Sequence, residues 1–392
     1  MATANHDRAQ EAVSVSISVP HAQDNLLLQR VIARVHDAGG WLPFDAFMTM
    51  ALYEPGLGYY ANNKRKIGHL ASDGSDFVTA PELSRGFGVM TARQLQKWLQ
   101  DTGVNEIWEF GAGRGTWAHD ILTELDALGW GLQSGKLKRY RIVELSSSLR
   151  DQQQQALQAW GDGVSWETEW PEQFSALVIG NEVLDAMPVK LLHRVNGVWH
   201  ERGVCIDASG LALDWQDRPT KWRLPLEPAG SHDYLTELHQ QDAAWVRSLG
   251  ERLQTGAVLL FDYGFPESEY FHAQRHMGTL MCHEAHQADP NPLVRVGHKD
   301  ITSHVDFTAV ALAAQEVGLG IVGYTSQGRF LLNLGLAQWL ETQKLPVRVM
   351  SAQLINEHEM GELFKVIALA PQAIAATLDP TGFEPGDRTH TL

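Results

Sequence analysis

The sequence predicts an α/β protein with a Rossmann-like parallel sheet, and three observations carry this prediction. An apolar run at 106–110 leads into the glycine cluster at 111–115, and a helical pattern begins directly after it. Strand, glycine turn and helix form the opening unit of a nucleotide-binding sheet. Further apolar runs alternate with helical patterns, which is typical of parallel sheets. Residues 176–180 also have the composition of a buried strand.

The segment before the sheet, residues 24–104, is predicted to be helical with a long loop. Residues 24–52 place their apolar side chains on one helical face, with Gly39-Gly40 as a stop. Residues 54–82 contain too many turn-forming residues for a regular element, and residues 84–100 have a helical pattern. Residues 1–23 resemble neither a secretory signal nor an arginine-rich transit peptide, so we expect a disordered tail there.

The predicted core spans residues 105–370 and contains two insertions. Its strands are expected at 106–110, 139–145, 164–170, 176–180, 256–264, 320–324 and 363–370. The first insertion, at about 189–255, should be an antiparallel meander with hairpin turns at Asn196-Gly197 and Ser209-Gly210, followed by a helix over 234–253. The second, at 265–304, is expected to be an irregular lid or binding loop. Residues 371–392 are expected to be a loose tail.

The spacing of the glycines indicates which nucleotide the turn binds. A dinucleotide fingerprint requires G-x-G-x-x-G, whereas this chain has G-x-G-x-G followed by Thr116. That spacing resembles the first motif of S-adenosylmethionine (SAM) methyltransferases, so a nicotinamide oxidoreductase is the disfavoured alternative. The ribose diol of SAM needs a carboxylate, and Glu144 at the end of the second predicted strand is placed for this role. Glu109 either orients the glycine turn or contacts the methionine end of SAM.

A second polar cluster follows the fourth predicted strand, beside the same crevice, and consists of Asn181, Glu182 and Asp185. Methyl transfer requires a nucleophile that sheds or shares a proton. Paired carboxylates suit a nitrogen nucleophile, guanidinium above all, because their geometry matches its bidentate fork. These three residues are therefore the candidate catalytic residues. The alternative is that they cap and solvate the first turn of a helix.

The overall composition excludes several classes of protein. The formal charge of −16 argues against a nucleic-acid partner, and no apolar run approaches the ~20 residues of a transmembrane helix. Two cysteines indicate a reducing compartment, and we expect a cytoplasmic location. Residues 272–304 are rich in histidine, but the pattern H-E-x-x-H is absent, so we expect no metal site.

Several motifs together make the chain resemble the MidA-like methyltransferases, whose mitochondrial members assist the assembly of respiratory complex I. The resemblance covers about residues 56–370. Its motifs are PGLGYY at 55–60, DFVTAPE at 76–82, EFGAGRGT at 109–116, VELS at 143–146, NEVLDAMP at 181–188, FDYG at 261–264, DITSHVDF at 300–307 and MGELF at 360–364. It implies a seven-stranded SAM-methyltransferase sheet with a reversed last strand. It also implies a protein substrate, since the mitochondrial members act on an arginine of a complex I core subunit.

The motifs and the resemblance together give a set of candidate site residues. Those predicted to bind SAM are Glu109, Gly111, Ala112, Gly113, Gly115, Glu144, Leu145 and Asn181. Those predicted to line the substrate cleft are Thr79, Pro81, Glu82, His304 and Asp306.

Two motifs depart from the family, and both bear on the substrate. Ser75 replaces the usual glycine before Asp76-Phe77, and residues 281–286 replace a basic and aromatic stretch. These two departures therefore leave the identity of the substrate protein undetermined, and no sequence feature predicts the oligomeric state. An active protein methyltransferase is the leading hypothesis. A methyltransferase-shaped assembly chaperone or binding module without turnover is the alternative.

Overall fold

The structure, a computed structural model, describes residues 26–62, 66, 76 and 78–392. The tail predicted at 1–23 and the departure at Ser75 lie outside the described residues. The strands are β1 (Leu42–Pro43), β2 (Glu106–Phe110), β3 (Arg139–Val143), β4 (Val164–Glu167), β5 (Phe174–Asn181), β6 (Lys190–Val195), β7 (Val198–Ile206), β8 (Leu213–Pro219), β9 (Tyr234–Leu238), β10 (Leu253–Phe265), β11 (Met281–Glu284), β12 (Gln287–Asp289), β13 (Asp300–Thr302), β14 (Val305–Asp306), β15 (Leu319–Ser326) and β16 (Phe364–Pro371).

The helices alternate with the strands of the core. They are α1 (Leu26–Asp37), α2 (Phe44–Tyr53), α3 (Ala80–Leu83), α4 (Arg85–Thr102), α5 (Thr116–Ala127), α6 (Ser147–Ala156), α7 (Gln240–Arg252), α8 (Glu267–Tyr270), α9 (Phe307–Glu316), α10 (Gln327–Asn333), α11 (Leu336–Glu341), α12 (Leu345–Gln353), α13 (Met360–Leu363) and α14 (Gln372–Ala375). In the described part of the chain, every helix is too short or too polar to span a bilayer.

The largest sheet carries the order β15–β16–β10–β5–β2–β3–β4, and the two-residue β14 pairs with the end of β10. The strands from β10 to β4 are parallel, whereas β16 runs antiparallel to both of its neighbours. The α/β fold class is therefore confirmed. The sheet counts eight strands instead of the predicted seven, because β14 extends it. In a parallel sheet the carboxyl ends of neighbouring strands share one edge, where ligands bind.

Alternate residues of the central strands face two separate apolar cores. On one face of the sheet, Ile107 of β2 belongs to a core shared with Trp117 of α5. On the other face, Trp108 belongs to a core shared with Val246 of α7. Parallel strands covered on both faces are apolar throughout. This explains why the apolar run at 176–180 indicates a buried strand.

The N-terminal helices pack on a second, antiparallel sheet. In this sheet β7 pairs with β1, β6 and β8, and β6 pairs with β9. Val31 of α1 and Phe47 of α2 share an apolar core with Leu191 of β6 and Val204 of β7. β6 and β7 pair antiparallel across the first predicted hairpin turn, and β7 and β8 pair antiparallel across the second.

Residues 26–53 contain α1 and α2, which are separated at the predicted stop Gly39-Gly40, where φ is 76° and 86°. Two other segments differ from the sequence prediction. Residues 234–253 are predicted as one helix, but their first part is β9, whose backbone groups pair with β6. The apolar residues of this segment fit both the helical and the strand period, so only its pairing with β6 makes it a strand. Residues 265–304 are not irregular, because they contain α8 and the small sheet β12–β11–β13.

The C-terminal segment, residues 371–392, is packed and not loose, so that prediction is wrong. Phe383 is fully buried, and its ring centroid lies 5.3 Å from that of Phe330. Oδ1 of Asp387 accepts a hydrogen bond of 2.9 Å from the backbone N–H of Tyr324. A single anchoring aromatic residue among prolines and glycines has no periodicity to detect. The division of the rest of the chain into domains and insertions stays a prediction.

Candidate active site

A cavity of about 620 Å³ lies at the carboxyl ends of β2, β3 and β5. Residues of the glycine turn after β2, of the segment after β3 and of the segment after β5 line it together. Tyr53 of α2 and residues of α3 and α7 also line it. Its volume is within the usual range for small-molecule pockets, ~300–1,000 Å³. Candidate residues from separate parts of the sequence therefore meet in one place.

The glycine turn has a backbone conformation that side chains disfavour. Gly111, Gly113 and Gly115 have φ values of 64°, 54° and 84°, in the left-handed region that glycine occupies without strain. Gly111, Ala112 and Gly113 line the cavity. Gly115 is not among the lining residues. A Cβ at Gly115 would lie 3.4 Å from Gln153, so this glycine allows α6 to pack closely against the turn.

Glu144 lies in the cavity wall and is held in place by two donors. Its Oε1 accepts a hydrogen bond from the N–H of Ser146 at 2.8 Å, and its Oε2 accepts one from Nε2 of Gln153 at 3.0 Å. The same Nε2 donates to the carbonyl of Gly113 at 2.8 Å, and the indole of Trp166 donates to Oε1 of Gln153 at 2.9 Å. One buried amide thus connects the carboxylate to the glycine turn.

Glu109 and Leu145 also line the cavity, in contrasting surroundings. Glu109 is buried, and its Oε2 accepts a hydrogen bond of 2.7 Å from the hydroxyl of Tyr140. Burial raises the pKa of Glu109 to about 8, although the Tyr140 hydroxyl opposes this shift. The contact joins β2 to β3 directly before the turn. Leu145, in contrast, is exposed at the cavity mouth.

Asn181, Glu182 and Asp185 come together where the chain leaves β5. Glu182 has a φ of 54°, which is uncommon for a residue with a side chain. Nδ2 of Asn181 donates to Oε1 of Glu182 at 2.9 Å. Oδ1 of Asn181 and Oδ1 of Asp185 are buried and find no hydrogen-bond partner among the described residues. Buried acceptors of this kind are normally satisfied, so a donor on a ligand is their natural complement.

Two further buried carboxylates, Asp262 and Asp300, contribute to this region. From the sequence, Asp262 either lines the crevice or belongs to a strand-ending turn, and Asp300 has no assigned role. Oδ2 of Asp262 accepts hydrogen bonds from the N–H groups of Leu184 and Asp185, at 2.9 and 3.2 Å, and so fixes the turn after β5. Asp300 lines the cavity itself. Burial raises the pKa of Asp185, Asp262 and Asp300, the last to about 8, and also that of Glu182. Repulsion from Asp185 adds to the other three shifts.

Three of the five predicted cleft residues, Thr79, Pro81 and Glu82, line the cavity. Glu82 also connects the N-terminal segment to the glycine turn. Its Oε1 accepts a hydrogen bond from the hydroxyl of Thr116, and its Oε2 lies 3.5 Å from Nη1 of Arg114. Glu82 therefore holds the turn as well as facing the cavity.

His304 and Asp306 are not among the residues that line the cavity, so their prediction as cleft residues is corrected. Oδ1 of Asp306 accepts hydrogen bonds from the first N–H groups of α9 and caps that helix. His304 packs against the rings of Tyr263 and Phe265, with centroids 5.1 and 5.2 Å away. Within the described residues, no group of three or more His, Cys, Asp or Glu is placed to hold a metal ion.

The site has the features that SAM requires. The glycine turn offers close backbone approach next to a carboxylate that still has free lone pairs for a diol. The unpartnered oxygens of Asn181 and Asp185 offer acceptors for a charged donor. The residues present therefore fit this cofactor.

Comparison with known proteins agrees with this geometry. A family described as "Putative S-adenosyl-L-methionine-dependent methyltransferase" matches residues 90–325, which is more than half of the chain. A protein from Burkholderia thailandensis, whose crystal structure contains bound S-adenosyl-homocysteine, is 42% identical with a TM-score of 0.87. That alignment covers 96% of this chain and 100% of the other.

Curated relatives are more distant but align over most of their length. "Protein arginine methyltransferase NDUFAF7 homolog, mitochondrial" from Drosophila melanogaster is 28% identical, over 87% of this chain and 84% of its own. "Protein arginine methyltransferase NDUFAF7, mitochondrial" from Xenopus tropicalis is 26% identical, over 91% of this chain and 88% of its own.

These comparisons decide two of the expectations. The relatives' names place those proteins in mitochondria, which contradicts the cytoplasmic location expected from the sequence, so that prediction is wrong. The cofactor is SAM, as the glycine spacing predicted, and the nicotinamide alternative is rejected. The chain belongs to this family of S-adenosyl-L-methionine-dependent methyltransferases.

Proposed function

We propose that this SAM-dependent methyltransferase transfers the methyl group to a side-chain nitrogen of an arginine in a protein substrate. One observation carries the proposal: several carboxylates line the same cavity as the glycine turn, and one of them, Asp185, has a buried oxygen without a hydrogen-bond partner among the described residues. Such a cluster is costly without a positive partner. A guanidinium supplies both the positive charge and several N–H donors.

The cofactor half of the cavity is assigned to the turn after β2 and the end of β3. Gly111, Ala112 and Gly113 would lie along the cofactor, and Glu144 would accept hydrogen bonds from its ribose hydroxyls. Glu109 and Gly115 would support the turn from behind, and Leu145 would cover the mouth. When bound, the cofactor supplies an electrophilic methyl group on a sulfonium sulfur.

The acceptor half is assigned to the segment after β5. Glu182 and Asp185 would each bind N–H groups of the guanidinium and keep its positive charge away from the attacking nitrogen. That nitrogen forms the new N–C bond as the C–S bond breaks, and it must lose one proton. Asp185 accepts this proton, since its raised pKa suits a base near neutral pH. Asn181 would orient Glu182 through their hydrogen bond.

The acceptor protein follows from similarity. The relatives named above are called protein arginine methyltransferases. The MidA-like resemblance implies an arginine of a respiratory complex I core subunit. We extend both to this chain as its substrate class. An assembly chaperone or binding module without turnover is not favoured, because it leaves the acidic acceptor half of the cavity without a role.

The test is methylation of a purified complex I core subunit with isotopically labelled SAM, read by mass spectrometry. We expect a labelled arginine with the parent protein and a rate about 10²–10³-fold lower with Glu182→Gln or Asp185→Asn, the usual loss for such an electrostatic contact. Glu172→Gln is the matched control, since Glu172 is exposed and does not line the cavity.

Two results would contradict the proposal. An arginine that stays unmodified with the parent protein removes the arginine assignment. If the two charge-removed variants also restore complex I assembly in cells, the protein acts by binding alone.

A further inference from the structure

Two tyrosines from outside the main sheet stand at the acidic end of the cavity. Tyr53 is the last residue of α2, and Tyr60 lies in the turn that follows. Their rings are stacked, with centroids 5.6 Å apart and planes inclined by 22°. Both residues line the cavity. The N-terminal segment thus adds an aromatic surface to a site whose carboxylates come from the sheet.

Hydrogen bonds fix both rings. The hydroxyl of Tyr53 donates to the carbonyl of Ala186 at 2.9 Å, and that of Tyr60 donates to Oδ1 of Asp300 at 2.9 Å. Because burial raises the pKa of both tyrosines, each hydroxyl keeps its proton and goes on donating. Neither hydroxyl is left to serve the reaction. The tyrosines therefore act as a fixed surface and, for Tyr60, as a hold on Asp300.

Asp300 is a buried carboxylate, 3% exposed, and within the described part of the chain the one side chain that hydrogen-bonds to it is that of Tyr60. Among the described residues, no Lys, Arg or His side chain forms an ion pair with Asp300, Glu182 or Asp185. Repulsion from nearby carboxylates such as Asp185 further destabilises the ionised form of Asp300. A cation entering the cavity relieves this repulsion and restores a partner for each carboxylate.

We propose that Tyr53, Tyr60 and Asp300 form an acceptor-recognition wall that selects a planar side-chain cation and rejects neutral isosteres. This rests on the proposed function and adds to it the residues that choose the substrate. A guanidinium suits the wall because it stacks on aromatic rings and offers donors along its edges. Asp300 binds one edge of the cation, while Glu182 and Asp185 bind the other. Tyr60 is a positioning residue that aims Asp300.

The test compares two planar ligands of nearly the same shape, N-acetyl-arginine methylamide and its neutral isostere N-acetyl-citrulline methylamide, in which an oxygen replaces one terminal nitrogen. Their binding to the full-length protein is measured by NMR titration in the presence of saturating S-adenosyl-homocysteine. The variants are Asp300→Asn and Tyr60→Phe. Tyr59→Phe is the matched control, because Tyr59 is buried beside Tyr60 but donates to Asp76 and does not line the cavity.

We expect the parent to prefer the arginine ligand by about tenfold or more, and Asp300→Asn to lower that preference by about tenfold, as loss of one charged hydrogen-bond partner predicts. Tyr60→Phe should weaken arginine binding by about three- to tenfold, and Tyr59→Phe should leave it unchanged. Affinity for S-adenosyl-homocysteine should be unchanged in all three variants, which separates recognition from a structural effect.

Equal affinity of the parent for both ligands overturns the proposal, and so does an Asp300→Asn variant that keeps the parent's full preference. The failure of the proposed function is distinguishable. If the complex I subunit is methylated on arginine while Asp300→Asn leaves its KM unchanged, only the wall is wrong. If arginine ligands bind through Asp300 but no subunit arginine is methylated, only the proposed acceptor protein is wrong.

Discussion

Gln153 offers the sharpest test of how the cofactor site is held together. Its amide makes three buried hydrogen bonds, to the carbonyl of Gly113, to Oε2 of Glu144 and from the indole of Trp166. Gln153→Met keeps the length of the side chain and its helix propensity but removes every donor and acceptor. The glycine turn then loses its connection to the carboxylate that is assigned to the ribose.

The expected magnitude follows from those contacts. A hydrogen bond to a charged group contributes about 1.5–3 kcal/mol. Loss of the bond to Glu144 should therefore weaken S-adenosyl-homocysteine binding by about 10- to 100-fold, at 1.4 kcal/mol for each tenfold. The two bonds between neutral groups contribute about 1 kcal/mol each to folding, so the free energy of unfolding should also fall. Removal of the donor also raises the pKa of Glu144 further, since Gln153 now lowers it.

The assay is calorimetric titration with S-adenosyl-homocysteine, together with urea denaturation of the same samples. Gln154→Met is the matched control, because Gln154 is the next residue of α6 and is exposed. An unchanged affinity in Gln153→Met, with a lowered unfolding free energy, would refute the reasoning. In that case the network supports the fold and does not orient Glu144.

Three further predictions test other parts of the structure. Gly113→Val should abolish S-adenosyl-homocysteine binding in a folded protein, whereas Gly129→Val, at a half-buried positive-φ turn with open space around its Cβ position, should suffer similar strain and still bind in the same titration. Glu109 has a folded pKa of about 8, above its unfolded value, so its bound proton stabilises the fold at low pH. That stability is lost as pH rises toward 8, by about 1.4 kcal/mol per pH unit. Urea denaturation from pH 5.5 to 7.5 should therefore show a flatter pH dependence for Glu109→Gln, and an identical slope would contradict the pKa. Phe383→Ala should lower the unfolding free energy by about 3–5 kcal/mol, and an effect below 1 kcal/mol in denaturation would mean that the C-terminal segment is loose after all.

The features that the sequence could predict are those with a local signal. The glycine turn, Glu144 and the segment 181–185 each follow an apolar strand, and the rule that parallel strands end at one edge places them together. The α/β class follows from the alternation of strands and helices for the same reason. Neither inference needs a long-range contact to be known.

The missed features depend on contacts between distant parts of the chain. Gln153 lies in the run of four glutamines at 152–155, a composition that predicts a solvated helix face, yet it is fully buried because Gly115 lets it pack against the turn. Asp300 and Tyr60 are 240 residues apart in the sequence. Each belongs to a motif of the family resemblance, but that motif did not predict what its side chain does. Phe383 has no periodic neighbours, so only its docking site reveals it.

The backbone of Glu182 sets stability against chemistry at a single position. Its left-handed conformation costs a residue with a side chain on the order of 1–3 kcal/mol, and glycine would escape that strain. If its carboxylate serves the acceptor as proposed, glycine would also end turnover. A mutant library screened for heat resistance should therefore enrich Glu182→Gly, and one screened for methylation should eliminate it.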